Sequence, residues 1–100
     1  MGVRSRSPLP TGEQNGLSVS TAIVTLTVPA DAMCAEIYVR TASIVFKRTG
    51  TDPSATLGFQ ANPGDIIMLN SRAELDRFEA IRQGATDATL DIEYFTDISG

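Results

Sequence analysis

The sequence predicts an all-β domain, either an antiparallel β-sandwich or a jelly roll. In residues 88–95, Ala88, Leu90, Ile92 and Tyr94 share one side of an extended chain, and mostly polar residues lie on the other. This period-two alternation is typical of a strand with one face on a core and one in water. About seven or eight short segments with turns roughly every 8–12 residues favour a sandwich or a jelly roll.

The predicted strands follow one another with short interruptions. Apolar and β-branched residues, which are typical of strands, predict strands at 17–28, 33–40, 43–48, 55–60, 66–69, 78–82 and 88–96. Pro, Gly, Asn and Asp are concentrated between them and predict turns at 29–31, 49–53 and 62–65.

One short helical segment is predicted at residues 70–76. Ser71 belongs to the residue types that cap helix N-termini, and Glu74 follows three positions later, which is the spacing of a capping box. The segment has room for one or two turns, so the prediction remains an all-β domain with a short helical turn.

The first residues differ in composition from the rest. Residues 1–16 contain Pro8 and Pro10, several Gly and Ser, and few apolar side chains, and such a segment cannot bury a core. We therefore predict an extended N-terminal arm at 1–16 and a single β-sandwich domain at 17–100. Another chain is expected to order the arm, and deleting residues 1–15 is expected to leave the fold nearly unchanged.

The alternation also predicts which side chains are buried. The predicted core includes Val24, Leu26, Ile37, Val39, Leu90 and Ile92. Most of the aromatic residues are expected in this core. Phe95 is the exception, because it falls on the same strand side as Asp91 and Glu93, so it is expected to be an exposed aromatic at a contact.

The composition excludes several classes of function. The 100 residues carry a net charge of −4, which argues against the basic surface that nucleic-acid binding needs. Histidine is absent and Cys34 is the one cysteine, so the commonest general base and an intrachain disulfide are both missing. Neither a signal peptide nor an apolar run of membrane-spanning length is visible, which predicts a cytosolic place of assembly.

The acidic residues form no recognisable catalytic or metal motif. Asp91 and Glu93 share a strand face but have no apolar surround that would tune them for acid–base chemistry. The turn at 62–65 lacks the alternating acids of a calcium loop. We expect no enzymatic activity, no cofactor and no metal site. The acids between 74 and 97 are expected to form either a solvated face or a face that meets a basic neighbour.

Several segments together resemble a known family. They are Val28-Pro29 at a strand end, Ile37-Tyr38-Val39, the basic strand and turn at 45–58, and Ile92-Glu93-Tyr94-Phe95. Over residues 20–96 the chain resembles the small β-sandwich virion structural proteins of tailed bacteriophages. Asp52-Pro53-Ser54 stands where that family more commonly has Pro-Thr, and Tyr94-Phe95 replaces paired tyrosines. The resemblance implies a non-enzymatic protein that decorates or stabilises a capsid as an oligomer.

The expected partners are the major capsid protein or another virion protein, together with further copies of this chain. A trimer is one candidate for this homo-oligomer. The expected location is the virion, assembled in the host cytoplasm, without contact to nucleic acid or membrane. The alternative function is a host-surface or carbohydrate-binding module of a phage fibre or tail. The candidate contact residues are Arg4, Arg6, Pro8, Pro10 and Phe95, the arginines being expected to meet carboxylates of a neighbour.

Overall fold

The computed structural model places the chain in two antiparallel β-sheets, and it describes the backbone from Arg6 to Ser99 and the side chains of residues 9–96. One sheet has the strand order β1-β7-β2-β5 and the other has the order β4-β3-β6. The elements are β1 (Arg6–Val19), β2 (Cys34–Arg40), β3 (Ile44–Lys47), β4 (Phe59–Ala61), β5 (Ile66–Leu69), α1 (Arg72–Arg77), β6 (Glu79–Arg82) and β7 (Ala88–Ser99). The all-β prediction is confirmed, and the two sheets are compatible with a sandwich, whereas a jelly roll is not confirmed.

Strand β7 is central to the larger sheet, because it pairs with β1 on one side and with β2 on the other. Its predicted alternation is confirmed: Ala88, Leu90, Ile92 and Tyr94 are all buried. Ile92 lies opposite Ile37 of β2, so apolar side chains face each other across the ladder. The outer face of the same strand carries the polar residues.

Both sheets contribute to a single apolar core. Ile37, Val39, Leu90 and Ile92 are buried in it as predicted. Val24 and Leu26 were predicted there as well, but they are only partly buried and pack against its margin. The smaller sheet adds the side chains of Ile44, Phe46, Ala61 and Ala80, and Phe78 joins them from the junction between α1 and β6.

The N-terminal part of the chain differs from the predicted arm. From Arg6 onward it forms β1, which pairs with β7 of the same chain from Arg6 opposite Ser99 to Val19 opposite Ala88. Two register shifts interrupt the pairing, one between Pro10 and Gly12 and one between Gln14 and Leu17. Gly16 lies in the second with a φ of 74°, a conformation that glycine adopts without steric cost.

The strand predicted at 17–28 is wrong beyond Val19. Residues 20–28 contribute one isolated bridge, in which Val24 and Ala80 of β6 exchange backbone hydrogen bonds of 2.9 and 3.1 Å. Val24, Leu26 and Val28 are nevertheless partly buried, with exposed residues between them. The alternation therefore predicted burial correctly and hydrogen bonding incorrectly.

The predicted helical turn is confirmed as α1. The Ser71 hydroxyl accepts a hydrogen bond from the Glu74 backbone N–H at 3.2 Å, which caps the first turn. The Glu74 carboxylate accepts in return from the Asn70 N–H at 2.8 Å. At the start of the helix, Arg72 donates to the backbone carbonyls of Pro29 at 2.7 Å and Ala32 at 3.0 Å, which ties the helix to the turn before β2.

One amide side chain joins three segments at the edge of the core. The Gln14 Oε1 atom accepts from the Tyr94 hydroxyl at 3.0 Å and from the Thr27 backbone N–H at 3.2 Å. Burial raises the pKa of Tyr94 to about 12, so its hydroxyl keeps its proton and remains a donor at neutral pH. Strand β1, strand β7 and the segment at 20–28 are thereby held together.

Candidate functional site

The outer face of the larger sheet carries a cluster of charged and polar side chains, and we call it the acidic face. It comprises Glu13 of β1, Asp91 and Glu93 of β7, and Glu36, Tyr38 and Arg40 of β2. These residues alternate with the buried positions of their strands, so the core fixes the direction in which they point.

Three carboxylates form a row across this face. Glu93 lies directly opposite Glu13 on one side and directly opposite Glu36 on the other. Like charges placed directly opposite each other in a sheet are destabilising. The Tyr38 hydroxyl donates to the Glu36 Oε1 atom at 2.8 Å and so satisfies one acceptor of the row. This hydrogen bond is the main reason that the pKa of Tyr38 is raised.

Asp91 is the best-satisfied acid of the face. Arg40 donates to its Oδ2 atom at 2.7 Å, and the Gly16 backbone N–H donates to its Oδ1 atom at 2.9 Å. These two hydrogen bonds, the one from Arg40 being the stronger cause, lower the pKa of Asp91. The bulge that places Gly16 opposite Asp91 therefore closes one end of the acidic face.

An open groove of about 670 Å³ runs along this end of the face. Its polar lining includes Glu13, Asn15, Tyr38, Arg40, Asp65, Asp91 and Glu93. The carboxylates outnumber the arginine, so the groove suits a cationic surface or a ligand rich in hydroxyl groups. Tyr38 is 38% exposed and presents an aromatic surface beside these groups.

The structure brings two of the candidate contact residues together. Pro10 of β1 lies opposite Phe95 of β7, on the side of the sheet that carries the acidic face. Pro10 is exposed, whereas Phe95, which was expected to be exposed, is half-buried. The backbones of Arg6 and Pro8 lie in β1, opposite Ser99 and Asp97, and their side chains lie outside the described part of the structure. Arg4 lies wholly outside the described residues.

Beyond these contacts, β1 and β7 continue as a two-stranded ribbon. The pairing of β2 with β7 ends where Cys34 faces Phe95, whereas β1 remains paired as far as Ser99. Arg6–Leu9 and Thr96–Ser99 form this ribbon, and no third strand of the described chain pairs with it. Leu9, whose side chain is described, is 52% exposed.

Of the six aromatic residues, three are buried, two are exposed and Phe95 is half-buried. Phe46, Phe78 and Tyr94 are buried as expected, but Tyr38 and Phe59 are exposed. The sequence signal for Tyr38 is its alternation with Ile37 and Val39, which places it on the outer face. The groove around it was not predictable, because its residues come from segments that are far apart in the chain.

Two features are absent from residues 6–99, a metal-ion cluster and a membrane-spanning helix. Among these residues, no group of three or more Cys, Asp or Glu side chains is placed to hold a metal ion. No helix in the described part of the chain is long and apolar enough to cross a membrane.

One further carboxyl group, on the smaller sheet, is poorly satisfied. The Oε1 atom of Glu79 is buried, and no donor in the described chain reaches it. The interaction with the neighbouring Asp52 carboxyl group and, next, burial raise the pKa of Glu79 above its ordinary 4.5, while Lys47 acts in the opposite direction. These surroundings therefore favour the protonated form of Glu79.

Replacing Glu79 by glutamine is expected to stabilise the protein at pH 7. The folded state holds the proton of Glu79 more tightly than the unfolded state does. The contribution of Glu79 to the free energy of unfolding is therefore complete below pH 4.5 and is lost as the pH rises through the raised pKa. Glutamine is neutral throughout, so the variant and the wild type should converge at low pH. Denaturant unfolding between pH 4 and 8 measures this.

Asp52→Asn tests the same interaction from the other side, since it removes the carboxyl group that raises the pKa of Glu79. It is expected to stabilise the protein in the same direction. A Glu79→Gln variant that is less stable than the wild type at pH 7 would show that the attraction to Lys47 dominates instead.

Replacing Glu93 by glutamine is also expected to stabilise the isolated protein, by about 0.2–1 kcal/mol, because it relieves two repulsive cross-strand pairs. The gain should shrink in high salt, which screens exposed charges. Urea unfolding at low and high salt measures both effects. Glu13→Gln relieves one such pair and should give a smaller gain, whereas a salt-independent change would argue against charge repulsion.

Comparison with known proteins adds no relative. No protein-family model, no curated protein and no solved structure matches the chain.

Proposed function

We propose that this protein is a non-enzymatic structural component of a phage virion, a capsid decoration or cementing protein that binds and stabilises the assembled shell as an oligomer. The observation that carries the proposal is the ribbon formed by Arg6–Leu9 and Thr96–Ser99, which extends beyond the end of β2. The family resemblance of residues 20–96 supports the same function.

The ribbon supports a contact function because it is incomplete by itself. A two-stranded antiparallel ribbon is marginally stable in water, and a third strand or a covering surface stabilises it. Leu9 is half-exposed in the ribbon, and Pro10 and Phe95 lie at its base. A coat protein that packs on the ribbon would bury these apolar groups and fix its position.

The acidic face supplies a second contact of a different kind. Its row of Glu13, Glu93 and Glu36 costs stability in the isolated chain, and a basic neighbour would convert this repulsion into attraction. Basic groups of a coat protein, or Arg4 and Arg6 of a neighbouring copy, have the required charge. Binding to the acidic face is then expected to weaken as salt increases.

Stabilisation of the shell would follow from mass action. A protein that binds the assembled lattice and not the free coat subunits shifts the equilibrium towards the lattice. Several weak contacts, made by an oligomer that spans neighbouring subunits, bind far more tightly together than each does alone. No bond is made or broken, so the mechanism needs neither a catalytic residue nor a cofactor.

Particle composition tests the proposal. We expect purified virions to contain this protein in a copy number that matches the coat lattice, as measured by quantitative mass spectrometry. Its absence from virions would overturn the proposal. A few copies per particle would instead place it at a tail or a vertex and favour the alternative function.

Removing residues 1–9 tests the role of the ribbon. The truncated chain keeps β1 from Pro10 to Val19, so we expect a melting temperature close to that of the wild type but little attachment to particles. A chain in which residues 1–9 are replaced by Gly and Ser of equal length is the matched control. If the truncated protein decorates particles at full occupancy, the ribbon is not the attachment point.

The alternative, a host-surface or carbohydrate-binding module of a fibre or tail, is favoured by one observation. Tyr38 is exposed beside Asn15 and Asp65 in the groove, and sugars commonly bind to an aromatic surface flanked by amide and acid groups. A glycan array followed by NMR titration tests it, with Tyr38→Ala expected to abolish binding. Phe59→Ala is the matched control, because Phe59 is an exposed aromatic of the other sheet.

A further inference from the structure

The edges of the two sheets are not equally protected. In β1 the edge carries Pro8 and Pro10 and two register shifts, features that prevent a further strand from pairing. In β6 the edge is occupied, because Ala80 bonds to Val24 and the Arg82 N–H donates to the Ser20 carbonyl at 3.0 Å. Strand β5, at the other edge of the larger sheet, has neither kind of protection.

The register shows which backbone groups of β5 are free. Val39 accepts from the Gly64 N–H and donates to the Asp65 carbonyl, so the backbone groups of Val39 point towards β5. Period two then makes Ile37 opposite Ile67 a hydrogen-bonded pair. The N–H and C=O groups of Ile66 and Met68 therefore point away from β2, towards the open edge.

One contact partly covers this open edge. The Arg48 guanidinium donates to the Met68 carbonyl at 3.4 Å, which is a long hydrogen bond. Ile66–Leu69 contains no charge and no proline, although protected edge strands usually carry one or the other. The side chains of Ile66 and Met68 are 51% and 46% exposed on the outer face, beside Tyr38.

The two ends of β5 carry opposite charges. A groove of about 410 Å³ beside this strand is lined by Ile66, Ile67 and Met68, with Asp65 at the N-terminal end of the strand. Arg48 lies near the C-terminal end of the strand, where it contacts Met68. Both charged residues are exposed. An antiparallel copy of the same strand would place each Arg48 next to the Asp65 of the other copy, so the edge is complementary to itself.

We propose that two copies of this chain pair through β5, antiparallel and about a two-fold axis at Ile67. Ile66 of one copy then lies opposite Met68 of the other, and each such pair exchanges two backbone hydrogen bonds. The exposed Ile66 and Met68 side chains meet across the axis, and Arg48 turns from the Met68 carbonyl to the second copy's Asp65. The larger sheets of the two copies become one continuous sheet.

This inference identifies the contact through which the homo-oligomer of the proposed function would form. It rests on the proposed function in that respect alone. Its test uses the isolated full-length protein, so its result is independent of attachment to particles. A β5 dimer that does not attach to particles would contradict the proposed function alone, and attachment by an oligomer that does not pair through β5 would contradict this inference alone.

Hydrogen exchange measured by NMR at low and high protein concentration tests the pairing residue by residue. The amides of Ile66 and Met68 face solvent in one copy, so we expect their exchange to slow roughly tenfold or more between about 10 µM and 1 mM protein. The Ile67 amide is the internal control, because it is bonded to β2 and should be slow at both concentrations. Sedimentation over the same range should show a dimer.

Charge variants test the register. Arg48→Glu places like charges together and should weaken dimerisation at least tenfold, and Asp65→Lys should do the same. Combining Arg48→Glu with Asp65→Lys should restore the dimer. Ile23→Lys, at an exposed apolar residue away from β5, is the control that should not affect it.

Asp65 also accepts from the Asn62 N–H at 2.7 Å in the turn, so melting temperatures must accompany these measurements. A monomer at 1 mM, a trimer, or a dimer without slowed exchange at Ile66 and Met68 would each overturn the pairing.

Discussion

Ile92→Ala is expected to destabilise the protein by about 2–5 kcal/mol, through lost burial and the cavity that remains. Ile92 is buried in the central strand, between Ile37 of β2 and Gln14 of β1. A domain of this size has about 5–15 kcal/mol of stability in total, so one substitution removes a large share. Denaturant unfolding followed by circular dichroism measures the loss, and Leu90→Ala should behave alike.

Ile23→Ala is the matched control for this prediction. It removes the same atoms from a residue that is exposed in the segment between β1 and β2, so little stability should be lost. If Ile92→Ala cost no more than Ile23→Ala, the central position of β7 in the core would be wrong.

Deleting residues 1–15 is expected to unfold most of the protein. The deletion removes the larger part of β1, and with it the ladder partners of Ile92 and Tyr94. It also removes Gln14, the acceptor that joins Tyr94 to Thr27. Together these losses should take most of the roughly 5–15 kcal/mol available to a domain of this size.

The measurement compares this deletion with the shorter deletion of residues 1–9, which spares the paired segment from Pro10 to Val19. We expect a cooperative thermal transition for the shorter deletion and a weak one or none for the longer. Equal melting temperatures for both truncations would show that β1 contributes little. That outcome would agree with the sequence-based expectation of a separate arm.

The sequence was sufficient where the signal is local. Alternation identified β2 and β7 and their buried faces, because side chains on alternate residues point to opposite sides of a strand. Ser71 and Glu74 identified α1, because the cap depends on two residues three positions apart. Such features need no knowledge of the remaining chain.

Strand β1 could not be found in this way. Its two register shifts change which side of the strand successive residues face, so no alternation remains in the sequence. Its partner β7 lies at the other end of the chain. Pairing with β7 stabilises a segment whose own composition would not predict a folded strand. The alternating residues 20–28 failed for the converse reason, since they cover the core margin without a continuous ladder.

The candidate site depends on strand order, which a single sequence does not reveal. Asp91 and Glu93 were predicted to share a face, and Glu36, Tyr38 and Arg40 share the outer face of β2. The order β1-β7-β2 brings these sets together with Glu13. The Arg40–Asp91 ion pair joins residues separated by 51 positions, so no local pattern contains it.

The ribbon at the end of β1 and β7 also determines how the protein would respond to a pulling force. Arg6 and Ser99 lie opposite each other at its tip, so a force that separates these two residues breaks the ladder hydrogen bonds one after another. A force that draws the whole ribbon away from the body along the strand direction instead strains many of these bonds at once. A partner bound to both strands would therefore resist a pulling force, because many hydrogen bonds must break together. A partner bound to a single strand would separate that strand from the other one hydrogen bond at a time.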